Sequence, residues 1–160
     1  MNRKLLAVLG ALLVAGCTPP EAPDRAPDFV VENALTGDSA ILWSSYEQRF
    51  YQIRLACIDE AGGAESRHVL LGNLDAADQI SITPIGEAKP TRTLQTYAIT
   101  AEVFVNLGDG PQSVNEAQLL AGQALLRKDA NPQNCPRLEA MKQAQQEAKE
   151  GRAGVWGNVK

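Results

Sequence analysis

Three cysteines and a single histidine are the residues of this chain best suited to covalent, redox or metal chemistry. Cys17 follows an apolar stretch, Cys57 and Cys135 lie in the main body of the sequence, and His68 lies in a helix-like segment. A structural zinc site usually takes four Cys or His ligands, so this set is too small once any cysteine has another role. We expect His68 to pack or to face solvent.

The first residues resemble a bacterial lipoprotein signal. Arg3 and Lys4 provide a positive start, an apolar run follows, and Val14-Ala15-Gly16-Cys17 resembles a lipobox. The apolar run is shorter than the ~18 residues that a membrane-spanning helix needs. The resemblance implies that residues 1–16 are removed and that Cys17 is lipidated. An ordinary secretory signal, with Cys17 incidental, is the alternative.

Residues 17–28 are predicted to form a tether after the lipidated cysteine. Prolines recur in this stretch and apolar residues are scarce, so it cannot bury a core. A lipid and a tether anchor a domain to a membrane without spanning it. We therefore expect an exported protein of the bacterial cell envelope, on the periplasmic side or at the cell surface, with a membrane lipid anchor.

The charge balance limits the kinds of partner. The whole chain has a formal net charge of −4, and loss of the signal with Arg3 and Lys4 leaves the exported part more acidic. Binding to nucleic acid depends on Lys and Arg neutralising phosphates, so a nucleic-acid partner is disfavoured. The sequence does not identify a protein partner.

Cys57 and Cys135 form an even pair once Cys17 is lipidated. Exported proteins encounter an oxidising compartment, where such pairs form disulfides. A bridge between them would close a long loop and contribute ~2–4 kcal/mol. Two buried free thiols are the alternative.

The length of the chain leaves room for one domain, and its hydrophobic patterning predicts a β-rich α+β fold. Alternating apolar positions predict strands, and apolar positions three or four apart predict helices. The strands are expected at 29–35, 39–43, 50–58, 79–85 and 96–105, and the helices at 64–74, 114–124 and 136–150. Five strands with a helix after the third and two helices at the end suggest a small Greek-key barrel braced by three helices.

Four segments, in matching order and spacing, resemble the staphylococcal nuclease family. They are Gly37-Asp38-Ser39; Ile53-Arg54-Leu55-Ala56-Cys57-Ile58-Asp59; Ala101-Glu102-Val103-Phe104-Val105 with Val114-Asn115-Glu116-Ala117; and Gly154-Val155-Trp156-Gly157. The resemblance covers about residues 29–157. It implies a five-stranded barrel of the oligonucleotide-binding (OB) type with three helices, and Ca²⁺-assisted hydrolysis of phosphodiesters in DNA and RNA.

The resemblance implies that Asp38 and Asp59 are Ca²⁺ ligands and that Arg54 is a catalytic, phosphate-binding residue. This chemistry needs oxygen ligands for the cation, a cationic group for the phosphate, and a carboxylate that positions or deprotonates water. Because Arg54 and Asp59 are an odd number of residues apart, a bend must bring them into one site. The structural alternatives are that Asp38 is an ordinary turn residue and that Asp59 ends a strand or caps a helix. Arg54 would then form a structural ion pair with one of them.

Two positions depart from the family pattern. The general-base glutamate position is Gly62, and the segment 96–100 has no second arginine, so Glu60 or Glu65 would have to replace the base. A positioned acid or base contributes ~10²–10⁴-fold, and a phosphate-stabilising arginine ~10³–10⁵-fold. The expected function is a degenerate nuclease-like domain that serves as a binding or scaffold module. An active Ca²⁺-dependent phosphodiesterase with a relocated base, acting on extracellular DNA or RNA, is the alternative.

Overall fold

The computed structural model describes residues 29–91 and 96–158. The predicted signal, Cys17 and the tether lie outside these residues. Within the described ranges the chain forms nine strands, three α-helices and a 3₁₀-helix. The strands are β1 (Phe29–Thr36), β2 (Ser39–Ser44), β3 (Arg49–Leu55), β4 (Ile58–Glu60), β5 (Gln79–Pro84), β6 (Lys89–Pro90), β7 (Thr96–Asn106), β8 (Pro111–Ser113) and β9 (Ala124–Leu126). The helices are α1 (Ala64–Asp75), α2 (Val114–Leu120), α3 (Leu138–Glu150) and the 3₁₀-helix Gly154–Asn158.

Seven strands form one curled, mixed sheet. Its main path is β1-β2-β3-β7-β5, and β6 and β8 pair with β7. The β3–β7 pair is parallel and the other pairs are antiparallel. Register shifts in β1, between Val31 and Asn33 and between Ala34 and Thr36, help the sheet to curl. The result is a half-barrel with three helices, which confirms the β-rich α+β class and is compatible with an OB-type fold.

The prediction of one strand over residues 50–58 is wrong. β3 ends at Leu55, and Cys57 has a φ of 71°, a left-handed conformation that interrupts strand geometry. The chain resumes as β4, which pairs with β9 in a separate two-stranded ladder. This break supplies the bend that the spacing of Arg54 and Asp59 requires.

The helix predictions are confirmed in type and differ at their ends. α1 begins at Ala64 as expected and ends one residue later, at Asp75. α2 ends at Leu120, and the residues after it turn and form β9. α3 begins at Leu138, two residues after Pro136. No helix within residues 29–91 and 96–158 is long and apolar enough to cross a membrane.

The core lies between the concave face of the half-barrel and the helices. Its fully buried large side chains include Leu42, Ile53, Ile58, Leu70, Leu119 and Met141. Asn115, in the Val-Asn-Glu-Ala segment, is buried in this core and joins the bend after β3 to β7. Its Nδ2 donates to the carbonyl of Ala56 at 2.9 Å, and its Oδ1 accepts from the backbone N–H of Val103 at 3.0 Å. Asn115 therefore secures the bend between β3 and β4 to β7.

Cys57 and Cys135 lie together, with their Cα atoms 5.7 Å apart. This distance is compatible with the predicted disulfide. Both cysteines are buried. The pair would join the bend after β3 to the loop that precedes α3.

Candidate functional site

Asp38, Arg54 and Asp59 meet in one cluster on the surface. Asp38 lies in the turn between β1 and β2, Arg54 on the solvent face of β3, and Asp59 in β4. Arg54 Nε lies 3.5 Å from Asp38 Oδ2, and an Arg54 terminal nitrogen lies 3.1 Å from Asp59 Oδ1. One guanidinium therefore bridges two carboxylates from different elements.

The turn that carries Asp38 is fixed by several contacts. Thr36 Oγ1 donates to Asp38 Oδ1 at 2.6 Å, and the backbone N–H of Leu55 donates to the Asp38 carbonyl at 2.7 Å. Gly37 lies against α1, where a Cβ would be 1.6 Å from Ser66 Oγ. The turn therefore requires glycine at position 37, and the Asp38 side chain is held in place and largely buried.

Glu60, one candidate for a relocated base, supports this turn. Its Oε2 accepts a hydrogen bond from the backbone N–H of Gly37 at 3.1 Å. Asp59 and Glu60 are neighbours on a strand, so their side chains point to opposite faces. Asp59 therefore meets Arg54 while Glu60 meets Gly37. Glu65 and His68 are exposed on α1.

Gly62, at the position where the family has a glutamate, is closely packed. A Cβ at this position would lie 1.9 Å from Gln123 Oε1 and 3.1 Å from Ser66 Cβ. The Gln123 carbonyl accepts hydrogen bonds from the N–H groups of Ala61 and Gly62 at 3.0 and 3.2 Å. It also accepts one from Ser66 Oγ at 2.8 Å. The buried amide of Gln123 thus occupies the space next to position 62.

Asp38 and Arg54 open onto a groove of about 650 Å³ along β3 and β7. Thr100 lies directly opposite Arg54 in the parallel β3–β7 pair. Charged side chains of both signs line the groove: Asp38, Arg54, Glu87 and Lys89. Its surface is therefore mixed in charge rather than uniformly positive.

Arg127 is a second cation of this region that the sequence reasoning missed. It follows β9, and its backbone N–H donates to the Cys57 carbonyl at 2.8 Å. Asp129 accepts two hydrogen bonds from its guanidinium, at 2.9 and 2.8 Å. The pKa of Arg127 is raised, first by this hydrogen bonding and further by the negative charges of Asp129, Asp59 and Asp38, although partial burial opposes the rise.

Arg127 lines a smaller cavity that adjoins the groove. Thr100 and Ile85 line both the groove and this cavity, which has a volume of about 160 Å³. The β4–β9 ladder, in which Asp59 is opposite Leu125, brings Arg127 there. Because this pairing joins residues far apart in sequence, no local pattern could have indicated it.

Asp38 and Asp59, the two residues expected to bind Ca²⁺, both lie beside Arg54 in this structure. Ca²⁺ takes six to eight oxygen ligands, and Asp38 and Asp59 face a shared arginine. No group of three or more His, Cys, Asp or Glu side chains in the described part of the chain could hold a metal ion. The positive charge between the two carboxylates comes from Arg54.

Neither of two comparisons with known proteins gives a relative from which the role of this site could be taken. No model of a known protein family matches the chain, and a search of curated proteins gives no significant match. The site is thus characterised by its own geometry, in which Arg54 bridges Asp38 and Asp59 while Arg127 lies nearby.

Proposed function

We propose that this chain is an exported, lipid-anchored envelope protein with a staphylococcal nuclease-like domain of the OB type. In this proposal the domain binds a partner and does not cleave phosphodiesters efficiently. The half-barrel with three helices and the four sequence segments support the fold assignment. The lipobox at Cys17 supports the anchor.

The packing at Gly62 is the observation that carries the loss of activity. No carboxylate extends from this position, and the adjacent space holds the buried Gln123 amide. Glu60 is hydrogen-bonded to the Asp38 turn, and Asp38 and Asp59 are paired with Arg54. Because these three carboxylates are engaged, we expect that none of them supplies the ~10²–10⁴-fold contribution of a general base.

The groove favours a protein partner over nucleic acid. A polyanion binds where several Lys and Arg side chains neutralise its phosphates. Here Arg54 and Lys89 share the groove with Asp38 and Glu87, so both signs of charge are present on one surface. A peptide segment or protein surface with charges of both signs complements this arrangement better.

Arg127 favours a second candidate, an active Ca²⁺-dependent phosphodiesterase. Arg54 pairs with Asp59, and Arg127 is close enough to feel the charge of Asp59, so this region offers two guanidinium groups, each suited to bidentate phosphate binding. This candidate also needs a base, and Glu60 would have to leave Gly37 to provide it.

A cleavage assay separates the two candidates. Residues 18–160 contain every described element and the whole buried core, so we expect this piece to fold on its own. It is incubated with single-stranded DNA and with RNA, with and without millimolar Ca²⁺. We expect no cleavage above buffer. Ca²⁺-dependent cleavage that Arg54→Ala abolishes and Arg67→Ala preserves would overturn the proposal, because Arg67 lies on α1 and bonds Asn33.

A further inference from the structure

A second cleft, of about 430 Å³, lies between the start of β1, the middle of β3 and the end of β5. Phe29, Tyr51 and Ile99 form its buried part, and Ile82 and Pro84 form one wall. Gly86 and Ile99 line both this cleft and the charged groove, so the two are neighbours with different surfaces. Its volume lies in the ~300–1,000 Å³ range of small-molecule sites.

The aromatic part of the cleft is preformed. The rings of Phe29 and Tyr51 meet edge to face with centroids 5.8 Å apart, and Tyr51 and Tyr97 are 6.1 Å apart. Phe29 and Tyr51 are each 8% exposed, so the core fixes their positions. A ligand would therefore meet ordered apolar walls, which lowers the entropy cost of binding.

Glu47 is the charged group of this cleft. Its Oε2 accepts a hydrogen bond from the Tyr51 hydroxyl and lies 3.3 Å from Arg49 Nε. The Arg49 guanidinium stacks over the Tyr97 ring at 4.8 Å and does not line the cleft. Burial, followed by the hydrogen bond to Glu47 and its negative charge, raises the pKa of Tyr51 to about 12. The phenol therefore stays neutral, and among the described residues that line the cleft Glu47 carries the charge, which Arg49 offsets in part from outside the cleft.

We propose that this cleft binds a small organic cation with a hydrophobic body, such as a hydrophobic amine. The apolar body packs against Phe29, Tyr51 and Ile99, and the positive end lies beside Glu47. Aromatic rings attract cations through their faces, and a carboxylate forms strong hydrogen bonds with an ammonium group. An anionic ligand of the same shape would be repelled by the Glu47 carboxylate. This proposal does not depend on the function of the groove.

The test uses three probes that share one skeleton: phenethylamine, 2-phenylethanol and 3-phenylpropionate. Each is titrated into ¹⁵N-labelled residues 18–160, and amide shifts give both affinity and location. We expect phenethylamine to bind about tenfold more tightly than the alcohol, as one charge-assisted hydrogen bond implies, and the carboxylate not to bind. The shifts should centre on residues 81–88 and on residues near Glu47.

Variants test whether Glu47 causes the preference for the amine over the alcohol. Glu47→Gln keeps an acceptor for Tyr51 and should bring the amine to within about twofold of the alcohol. Glu139→Gln is the matched control, because Glu139 lies exposed on α3, and it should change nothing. Ala88→Phe, at the rim, should weaken both probes. Equal affinity of amine and alcohol for the parent, shifts centred on the groove, or no binding would each refute the proposal.

Discussion

Restoring the glutamate at position 62 tests the account of the degenerate site most directly. A Cβ there lies 1.9 Å from Gln123 Oε1, a distance that packed atoms do not adopt, so Gly62→Glu must displace a buried amide. Residue 62 does not have a positive φ, so its backbone tolerates a side chain and only packing opposes the change. The obstructing atoms belong to the end of a flexible but buried side chain, so we expect a cost at the lower end of the ~1–3 kcal/mol that overpacking takes.

A second substitution separates the clash from other effects. Gln123→Ala removes the obstructing atoms and keeps the carbonyl that accepts from Ala61, Gly62 and Ser66. We expect the double variant to recover at least ~1 kcal/mol of the loss, because residues in contact are energetically coupled. Gly72→Glu is the matched control, since a Cβ at Gly72 meets nothing within 4 Å and a helix interior favours glutamate over glycine.

The assay is urea unfolding at pH 7, with cleavage of single-stranded DNA in Ca²⁺ measured beside it. Gly62→Glu should unfold at lower urea than the parent, and Gly72→Glu at equal or higher urea. A Gly62→Glu variant as stable as the parent would refute the packing argument. If the double variant folds and cleaves DNA, the base was the missing component. If it folds and does not cleave, the loss extends beyond position 62.

Three further expectations follow from the remaining features. Burial raises the pKa of Glu102, although Arg137 opposes the rise. The folded state therefore binds the Glu102 proton more tightly than the unfolded state does, which stabilises the fold in acid. This contribution to stability is lost as the pH rises through the folded-state pKa. Glu102→Gln should therefore be more stable than the parent at pH 7, and the difference should vanish in acid. Urea unfolding of both proteins at pH 7 and in acid measures this, and a Glu102→Gln variant less stable than the parent at pH 7 would contradict it. Reducing the Cys57–Cys135 pair should cost ~2–4 kcal/mol by loop closure, and equal unfolding midpoints in both redox states would argue against a bridge. Cys17→Ser in the full chain should move the protein from the membrane to the soluble fraction of the producing cells, and retention in the membrane would count against the lipid anchor.

Local pattern accounts for most elements of the fold and for part of the site. Apolar and polar residues alternate strictly in Tyr51–Leu55, and apolar residues of α1 recur every three or four positions. The apolar residues of the strand and Leu70 and Leu74 of the helix are buried in the structure, so both elements follow from the sequence. The spacing of Arg54 and Asp59 required a bend after β3, but its position at Cys57 could not be predicted, because a left-handed conformation is unusual for a residue other than glycine.

The site was predictable where it depends on nearby residues. Asp38, Arg54 and Asp59 come together as their spacing and one bend require. Arg127 and Gln123 were missed, because they reach the cluster through the β4–β9 ladder and contacts around it. Such long-range pairings depend on the assembled core rather than on any local signal.

Gln118 and Gln123 link the surroundings of the cluster to α2 and to the turn that follows it. Gln118 Nε2 donates to the carbonyls of Gly37 and Ser66, and the Gln123 carbonyl holds the segment that contains Gly62. Contacts of such long sequence separation form late, after their loop entropy has been lost. A chain interrupted before residue 118 could therefore make much of the sheet, but the carbonyls of Gly37 and Ser66 and the segment that contains Gly62 would lack these partners.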